Sequence, residues 1–88
     1  MSLDLQKLID SVVLVEGIER VVIKHNRDYN YTLFFILKPG IENLSELWAI
    51  TNSILYPGVK QLREITRLDY YFDWLLLKEE DLKRYTSL

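Results

Sequence analysis

The first residues of the chain alternate apolar and polar positions with the period of an α-helix. Asp4 lies in the predicted first turn, where the helix dipole favours an acidic side chain, and Gly17 follows as a stop signal. The apolar positions recur at spacings of three and four on one helix face; they are Leu5, Leu8, Ile9, Val12 and Val13. The pattern predicts a helix over about residues 2–15.

Two apolar segments with the composition of strands come next. Segment 19–25 contains a β-branched Val-Val-Ile run flanked by charges. Segment 31–37 is apolar at both alternating sets of positions, as in a central strand that is covered on both faces. Because the polar, turn-forming residues 26–30 separate the two segments, we expect an antiparallel hairpin that ends at Pro39-Gly40.

A second helix is predicted to begin at Asn43. Its side chain can accept the third amide of the helix, while Glu46 reaches back to the cap amide. Pro57 clashes with the carbonyl four residues earlier, so we expect the helix to end or kink near Tyr56. The positions that share its inner face are Leu44, Leu47, Trp48, Thr51, Ile54 and Leu55.

The last third of the chain contains one ambiguous segment and one clear strand. Residues 59–67 fit a second short helix and a strand equally well. From Leu68 onward, apolar and polar residues alternate as in a half-buried strand, with Asp69 and Asp73 on its polar face. Residues 78–82 are predicted to form a short closing helix, because their acidic side chains suit a helix N-terminus.

These elements define a single domain over residues 1–88, in the order α-β-β-α-(α or β)-β-α. The order predicts an α+β fold: a small antiparallel or mixed sheet of three or four strands with its helices mainly on one face. A chain of 88 residues buries only roughly 60–65% of its unfolded surface, so association with a second copy would add useful burial.

Composition removes several kinds of function. The chain has no cysteine, which excludes disulfides and cysteine-ligated metal sites, and only one histidine, which excludes a histidine pair. Its three glycines are isolated and cannot form a phosphate-binding loop. No apolar segment approaches the roughly 20 residues of a membrane span, and no signal sequence is recognisable. We expect a cytoplasmic protein without a metal or cofactor.

Groups that could carry catalysis are few and scattered. His25 is the only side chain with an ordinary pKa near neutrality, and no nucleophile motif accompanies it. Asp69 and Asp73 are separated by roughly 13 Å along the predicted strand, too far for shared acid–base work. The consecutive acids at 79–81 point in different directions on a helix, so they suit a helix cap better than a metal site. We expect a protein that is not an enzyme.

The element order resembles that of minimal nucleotidyltransferase domains, including those of toxin–antitoxin pairs. That family uses a Gly-Ser after its first strand and an Asp-x-Asp on its second to hold two metal ions. Here His25-Asn26 stand in the first position, and residues 32–37 contain no carboxylate. Only Asp73 or Asp69 matches the third acid of the family. The resemblance implies, as an alternative function, a degenerate nucleotidyltransferase-like domain without its metal site.

Two basic clusters raise a second alternative, the binding of single-stranded nucleic acid. The clusters are Arg20, Lys24 and Arg27, and Lys60, Arg63 and Arg67. If the fold joined them beside the tyrosines, the surface would combine cations with stacking platforms. The net charge of −2 and the absence of a known RNA- or DNA-binding motif argue against nucleic acid as a partner.

Aromatic residues are the most informative feature of the composition: two Trp, six Tyr and three Phe. Tyrosines at turns, strand ends and polar faces are typical of interfaces, since they bury a large area and keep a wet hydroxyl. We predict a protein–protein interaction or regulatory domain, a homodimer formed through an exposed strand edge or the uncovered sheet face. Its predicted contact residues are Tyr29, Tyr31, Tyr71 and Arg67. Both tryptophans lie on predicted apolar faces, so we expect both in the core.

Overall fold

The computed structural model describes residues 5–86, which form three helices and one three-stranded sheet. The elements in chain order are α1 (Leu5–Val13), β1 (Ile18–Arg27), β2 (Asn30–Leu37), α2 (Leu44–Thr66), β3 (Tyr71–Leu77), a 3₁₀ turn (Glu79–Asp81) and α3 (Leu82–Thr86). This arrangement confirms the predicted α+β class with a mixed sheet. Residues 2–4 of the first predicted helix lie outside the described residues.

The sheet has the strand order β1-β2-β3, with β2 in the centre. β1 and β2 form the expected antiparallel hairpin. Its turn is Asp28-Tyr29, with Asp28 in the left-handed region at φ 46°. β3 pairs with β2 in parallel, and α2 is the crossover between them. Residues 33–37 of β2 are all buried, which confirms a central strand covered on both faces.

The two faces of the sheet are covered unequally. α1 and α2 pack on one face, here called the helix face. Its strand residues in the main core are Ile18, Leu33, Phe35, Leu37 and Phe72. On the second face, the smaller cluster consists of Phe34, Ile36 and Leu77, packed against Val22 and Leu82. The ring of Tyr85 in α3 also packs against Phe34 in a tilted arrangement, with ring centroids 5.8 Å apart. The helices therefore lie mainly on one face, as predicted.

α2 is one uninterrupted helix of 23 residues, with Pro57 inside it. Of the predicted end or kink near Tyr56, the end is wrong. The helix continues to Thr66, so residues 59–66 are helical and do not form a strand. The physical reason lies in its buried positions, which continue in one stripe across the proline: Leu47, Thr51, Leu55, Val59 and Leu62. Burial of this stripe outweighs the roughly 3 kcal/mol that an interior proline costs.

The start of α2 also differs from expectation in two details. The side chain of Asn43 makes no bond to the helix backbone; its amide donates instead to a carboxylate oxygen of Glu46 at 3.3 Å. Trp48 is 41% exposed, so its assignment to the core is wrong. It lies one position past Leu47, about 100° around the helix, and turns out of the buried stripe. Trp74 is half-buried and packs against the main core.

Gly58 allows α1 to approach α2 closely. A Cβ atom at this position would overlap Cδ1 of Leu8 and lie 3.3 Å from its Cγ. Leu8 is 4% exposed and belongs to the main core, so it has little room to move. The glycine is therefore needed for the contact between the two helices.

Gly58→Ala is expected to lower the free energy of unfolding by about 1–3 kcal/mol, because overpacking against Leu8 outweighs the gain of roughly 1 kcal/mol from alanine in a helix. Urea denaturation followed by circular dichroism measures the change. In a Leu8→Ala background the same substitution should stabilise the protein, since the overlap is gone. Equal destabilisation in both backgrounds would contradict the contact.

Thr51 is fully buried in α2, and its hydroxyl has no hydrogen-bond partner among the described residues. Thr51→Val removes an unpaired polar group with almost no change of shape, so we expect stability to rise by about 1 kcal/mol. Thr66 is the matched control, because its hydroxyl donates to the carbonyl of Leu62 at 2.8 Å. Thr66→Val should lower stability by about 1 kcal/mol. A loss for Thr51→Val in the same thermal melts would show that its hydroxyl has a partner.

Candidate functional site

Three of the four predicted contact residues lie at the hairpin end of the sheet. Tyr29 is in the turn and 41% exposed, Tyr71 begins β3 and is 51% exposed, and Tyr31 on β2 is half-buried. The amide of Tyr71 donates to the carbonyl of Tyr29 at 3.0 Å. Arg67 ends α2 in the left-handed conformation, and its amide donates to the carbonyl of Arg63 at 2.8 Å. No described contact joins Arg67 to the three tyrosines.

Stacked rings cross all three strands near this end, on the helix face. His25 and Tyr31 are register partners with centroids 4.7 Å apart, and Tyr31 and Phe72 are partners at 5.5 Å. The Nε2 atom of His25 lies 2.7 Å from the carbonyl of Asp28. Because a carbonyl only accepts, this nitrogen carries the proton. His25 thus stabilises the hairpin, and Tyr31 links the hairpin to β3. Contact of Tyr31 with a partner stays a prediction.

A cleft of about 690 Å³ lies at the carboxyl ends of β2 and β3. β2 continues there to α2 on the helix face, whereas β3 continues to α3 on the second face, so the chain leaves the two ends in opposite directions. Such a switch point is the usual ligand crevice of a parallel sheet. The charged residues of its lining are Glu19, Arg20, Lys38, Glu42, Lys78, Glu79 and Glu80.

The chemistry of this cleft favours no class of ligand. Arg20 and Glu79 form an ion pair across it at 2.5 Å. All seven charged side chains are exposed, four of them acidic and three basic. The other lining residues contribute no side-chain hydroxyl, amide or imidazole group. A smaller cleft of about 270 Å³ lies at the hairpin end, where Tyr29 and Tyr71 line it with Arg27 and Asp69.

The structure places most residues of the two basic clusters on opposite faces of the sheet. Arg20 and Lys24 pair with Ile36 and Thr32 of β2, which places them on the second face. Lys60 and Arg63 belong to α2, which covers the helix face. These four cations therefore do not form one patch.

The acidic residues are also dispersed. Asp69 precedes β3 rather than sharing a strand face with Asp73, so that prediction is wrong. Within residues 5–86, no three His, Asp or Glu side chains come together as ligands for a metal ion. In the same part of the chain, no helix has the length and apolar character needed to cross a bilayer.

The two edges of the sheet have very different properties. β1 is interrupted twice in its register with β2, between Ile18 and Arg20 and between His25 and Arg27. It also contains four charged residues, Glu19, Arg20, Lys24 and Arg27. Irregular register and charge, lysine above all, are the features that prevent an edge strand from pairing with another chain. β1 is therefore a protected edge.

β3 has none of this protection. Its register with β2 is regular from Tyr71 to Leu77, and Asp73 is its single charge. Residues of a parallel strand alternate between bonding to the neighbour and facing away from it. Since the amide of Tyr71 bonds to Tyr29, the residues that face away are Phe72, Trp74 and Leu76. Their amides and carbonyls point to the open edge, and no other described strand pairs with them.

Aromatic side chains of α2 border this open edge. The indole of Trp74 donates to Oδ1 of Asn52 at 2.7 Å, and Tyr56 packs edge-on against the same indole at 5.0 Å. Arg63 donates to the carbonyl of Tyr70 at 2.6 Å, so α2 runs antiparallel beside β3. Tyr56 is 65% exposed. Trp48, one turn before Asn52, lies on the same flank.

We call this surface the β3 edge: the outward backbone groups of Phe72, Trp74 and Leu76 with the side chains of Trp48 and Tyr56. Sequence reasoning missed the two α2 residues. The signal for them was the i, i+4 spacing of Trp48, Asn52 and Tyr56 beside, rather than within, the buried stripe.

Comparisons with protein-family models, with curated proteins and with solved structures give no match to this chain.

Asn52→Ala is expected to lower stability by about 1 kcal/mol, since it removes the acceptor of the half-buried Trp74 indole. Ser53→Ala is the matched control: its hydroxyl bonds only to a carbonyl of its own helix, Ile50, and is exposed. The control should change stability by less than about 0.5 kcal/mol. Urea denaturation of both variants measures the difference, and equal effects would contradict the role of Asn52 in fixing Trp74.

Proposed function

We propose that this chain is a protein–protein association domain that acts as a homodimer and docks through the β3 edge. The observation that carries the proposal is the contrast between its two edge strands. β1 has irregular register and four charges, whereas β3 is regular and has one. An unprotected edge of this kind is a template for another strand.

Strand addition suits the energetics of a small domain. The added main-chain hydrogen bonds supply affinity, and side chains beside the strand supply specificity. Trp48 and Tyr56 present large exposed aromatic surfaces at this place, and such residues dominate the energy of many interfaces. Their burial adds to what a chain of 88 residues can bury alone.

Two of the four predicted contact residues lie beside the β3 edge rather than in it. Tyr71 begins β3, and its amide donates to the carbonyl of Tyr29 on the side of β2, away from the open edge. Tyr31 and Arg67 stay predictions that the β3 edge does not require. The proposal includes a cytoplasmic location.

Leu76→Pro tests the proposal, because Leu76 directs its amide away from β2. Proline there removes the outward donor and fills its place with the ring, while every β2–β3 hydrogen bond is kept. We expect a dimer for the unmodified chain and a monomer for Leu76→Pro in sedimentation equilibrium.

Leu76→Ala is the matched control, since it loses a similar amount of side-chain packing but retains the amide. It should remain dimeric, with circular dichroism showing that both variants are folded. A monomeric unmodified chain, or a folded Leu76→Pro variant that dimerises as strongly as Leu76→Ala, would refute the proposal.

A further inference from the structure

We infer that the second copy pairs antiparallel with β3 about a two-fold axis at Trp74, which joins the two sheets into one of six strands. This inference rests on the proposed function and adds the register of the interface and the part that α2 plays in it. Two independent features of the β3 edge lead to the same axis.

The first feature is the set of outward backbone groups. An axis at Trp74 places Trp74 opposite Trp74 of the second copy and Phe72 opposite its Leu76. All three outward residues of each copy are then paired, three amides from each side, which makes six hydrogen bonds. An axis moved by one residue, to Asp73 or Leu75, pairs only two outward residues of β3 per copy and makes four.

Charge separates the same alternatives. An axis at Asp73 would place two aspartates directly opposite each other, an arrangement that destabilises a strand pair. With the axis at Trp74, Asp73 lies opposite Leu75 of the second copy. Both side chains are exposed on the second face of the sheet, so neither must move out of the core to allow this pairing.

The second feature is the flank of α2. The bond from Trp74 to Asn52 places Asn52 level with the proposed axis. Because the two-fold axis makes the two α2 helices antiparallel, a residue a given number of positions before Asn52 in one copy is level with the residue the same number of positions after Asn52 in the other. Trp48 and Tyr56 are each four positions from Asn52, so Trp48 of one copy lies level with Tyr56 of the other.

This match identifies the occupant as a second copy rather than an unrelated strand. A foreign peptide could pair with the backbone groups of β3, but nothing in such a peptide would necessarily cover the exposed rings of Trp48 and Tyr56. In a two-fold interface every residue pair occurs twice. The two aromatic residues, 41% and 65% exposed, therefore cover one another at both ends of the interface.

Single-cysteine variants test the register, because the chain has no cysteine of its own. In the inferred dimer, residues 73 and 75 of opposite copies form a non-hydrogen-bonded pair with Cα atoms about 4.5 Å apart, within disulfide range. Residue 73 is diagonal to residue 73 of the second copy, about 7–8 Å away and out of range.

The experiment mixes equal amounts of Asp73→Cys and Leu75→Cys chains, one of them carrying a mass tag, under mild oxidation. We expect the mixed disulfide to exceed either self-linked disulfide at least tenfold, as read by intact mass. Sedimentation of the reduced variants shows whether each still dimerises.

The other outcomes separate the inference from the proposed function. Rapid self-linking of Asp73→Cys or Leu75→Cys would overturn the register and leave pairing through β3 intact. Dimers that form no disulfide would place the interface elsewhere and overturn both. Monomers of the unmodified chain would overturn the proposed function and the inference with it.

Trp48→Glu tests the α2 contact separately, with Ile65→Glu as its control. Both side chains are exposed on α2, and they are about 100° apart around the helix. We expect Trp48→Glu to weaken the dimer at least tenfold and Ile65→Glu to leave it unchanged. Equal dissociation constants for the two variants would overturn the pairing of Trp48 with Tyr56.

Discussion

The parallel pairing of β2 with β3 is the constraint on which the other features of this fold depend. A chain that enters two neighbouring strands in the same direction must return along the full length of the sheet between them. Here the return is α2, whose 23 residues span roughly 35 Å. A helix that ended near Tyr56 would leave the chain far from the start of β3. The crossover therefore requires the helix to continue through Pro57, and the stripe from Leu47 to Leu62 stabilises it there.

The same constraint shapes the open edge. In β3 the residues with outward backbone groups, Phe72, Trp74 and Leu76, are those whose side chains face α2 and the core. A charged or proline side chain at these positions would protect the edge but would also disturb the core. β1 escapes this conflict, because irregular register at both of its ends interrupts the ladder and charged residues lie between. The backbone groups of β3 thus stay open at the edge because the side chains of the same residues are needed for packing, as Trp74 is against Asn52 and Tyr56.

Local patterns were sufficient for the features that depend on neighbouring residues. The apolar segment 31–37 and the polar turn before it located the hairpin to within a few residues, and alternation after Leu68 located β3, which begins at Tyr71. They were insufficient where distant packing decides. Trp48 belongs to the apolar side of α2. The part of that side that the sheet covers depends on where β3 lies, and Trp48 is outside the covered part. The open edge could be predicted as a type of surface, and Tyr71 as a residue beside it. The contribution of α2 could not, because it depends on a helix that continues past a proline.

If β3 pairs as inferred, the interface would also bring together clefts of the two copies. The carboxyl end of β3 leads to the charged cleft at Lys78 and Glu79, and its amino end borders the hairpin cleft at Tyr29 and Tyr71. With the axis at Trp74, Tyr71 of one copy lies opposite Leu77 of the other, one residue from Lys78. The hairpin cleft of each copy is then next to the charged cleft of its partner. In the inferred dimer the aromatic lining of one cleft would therefore adjoin the charged lining of the other.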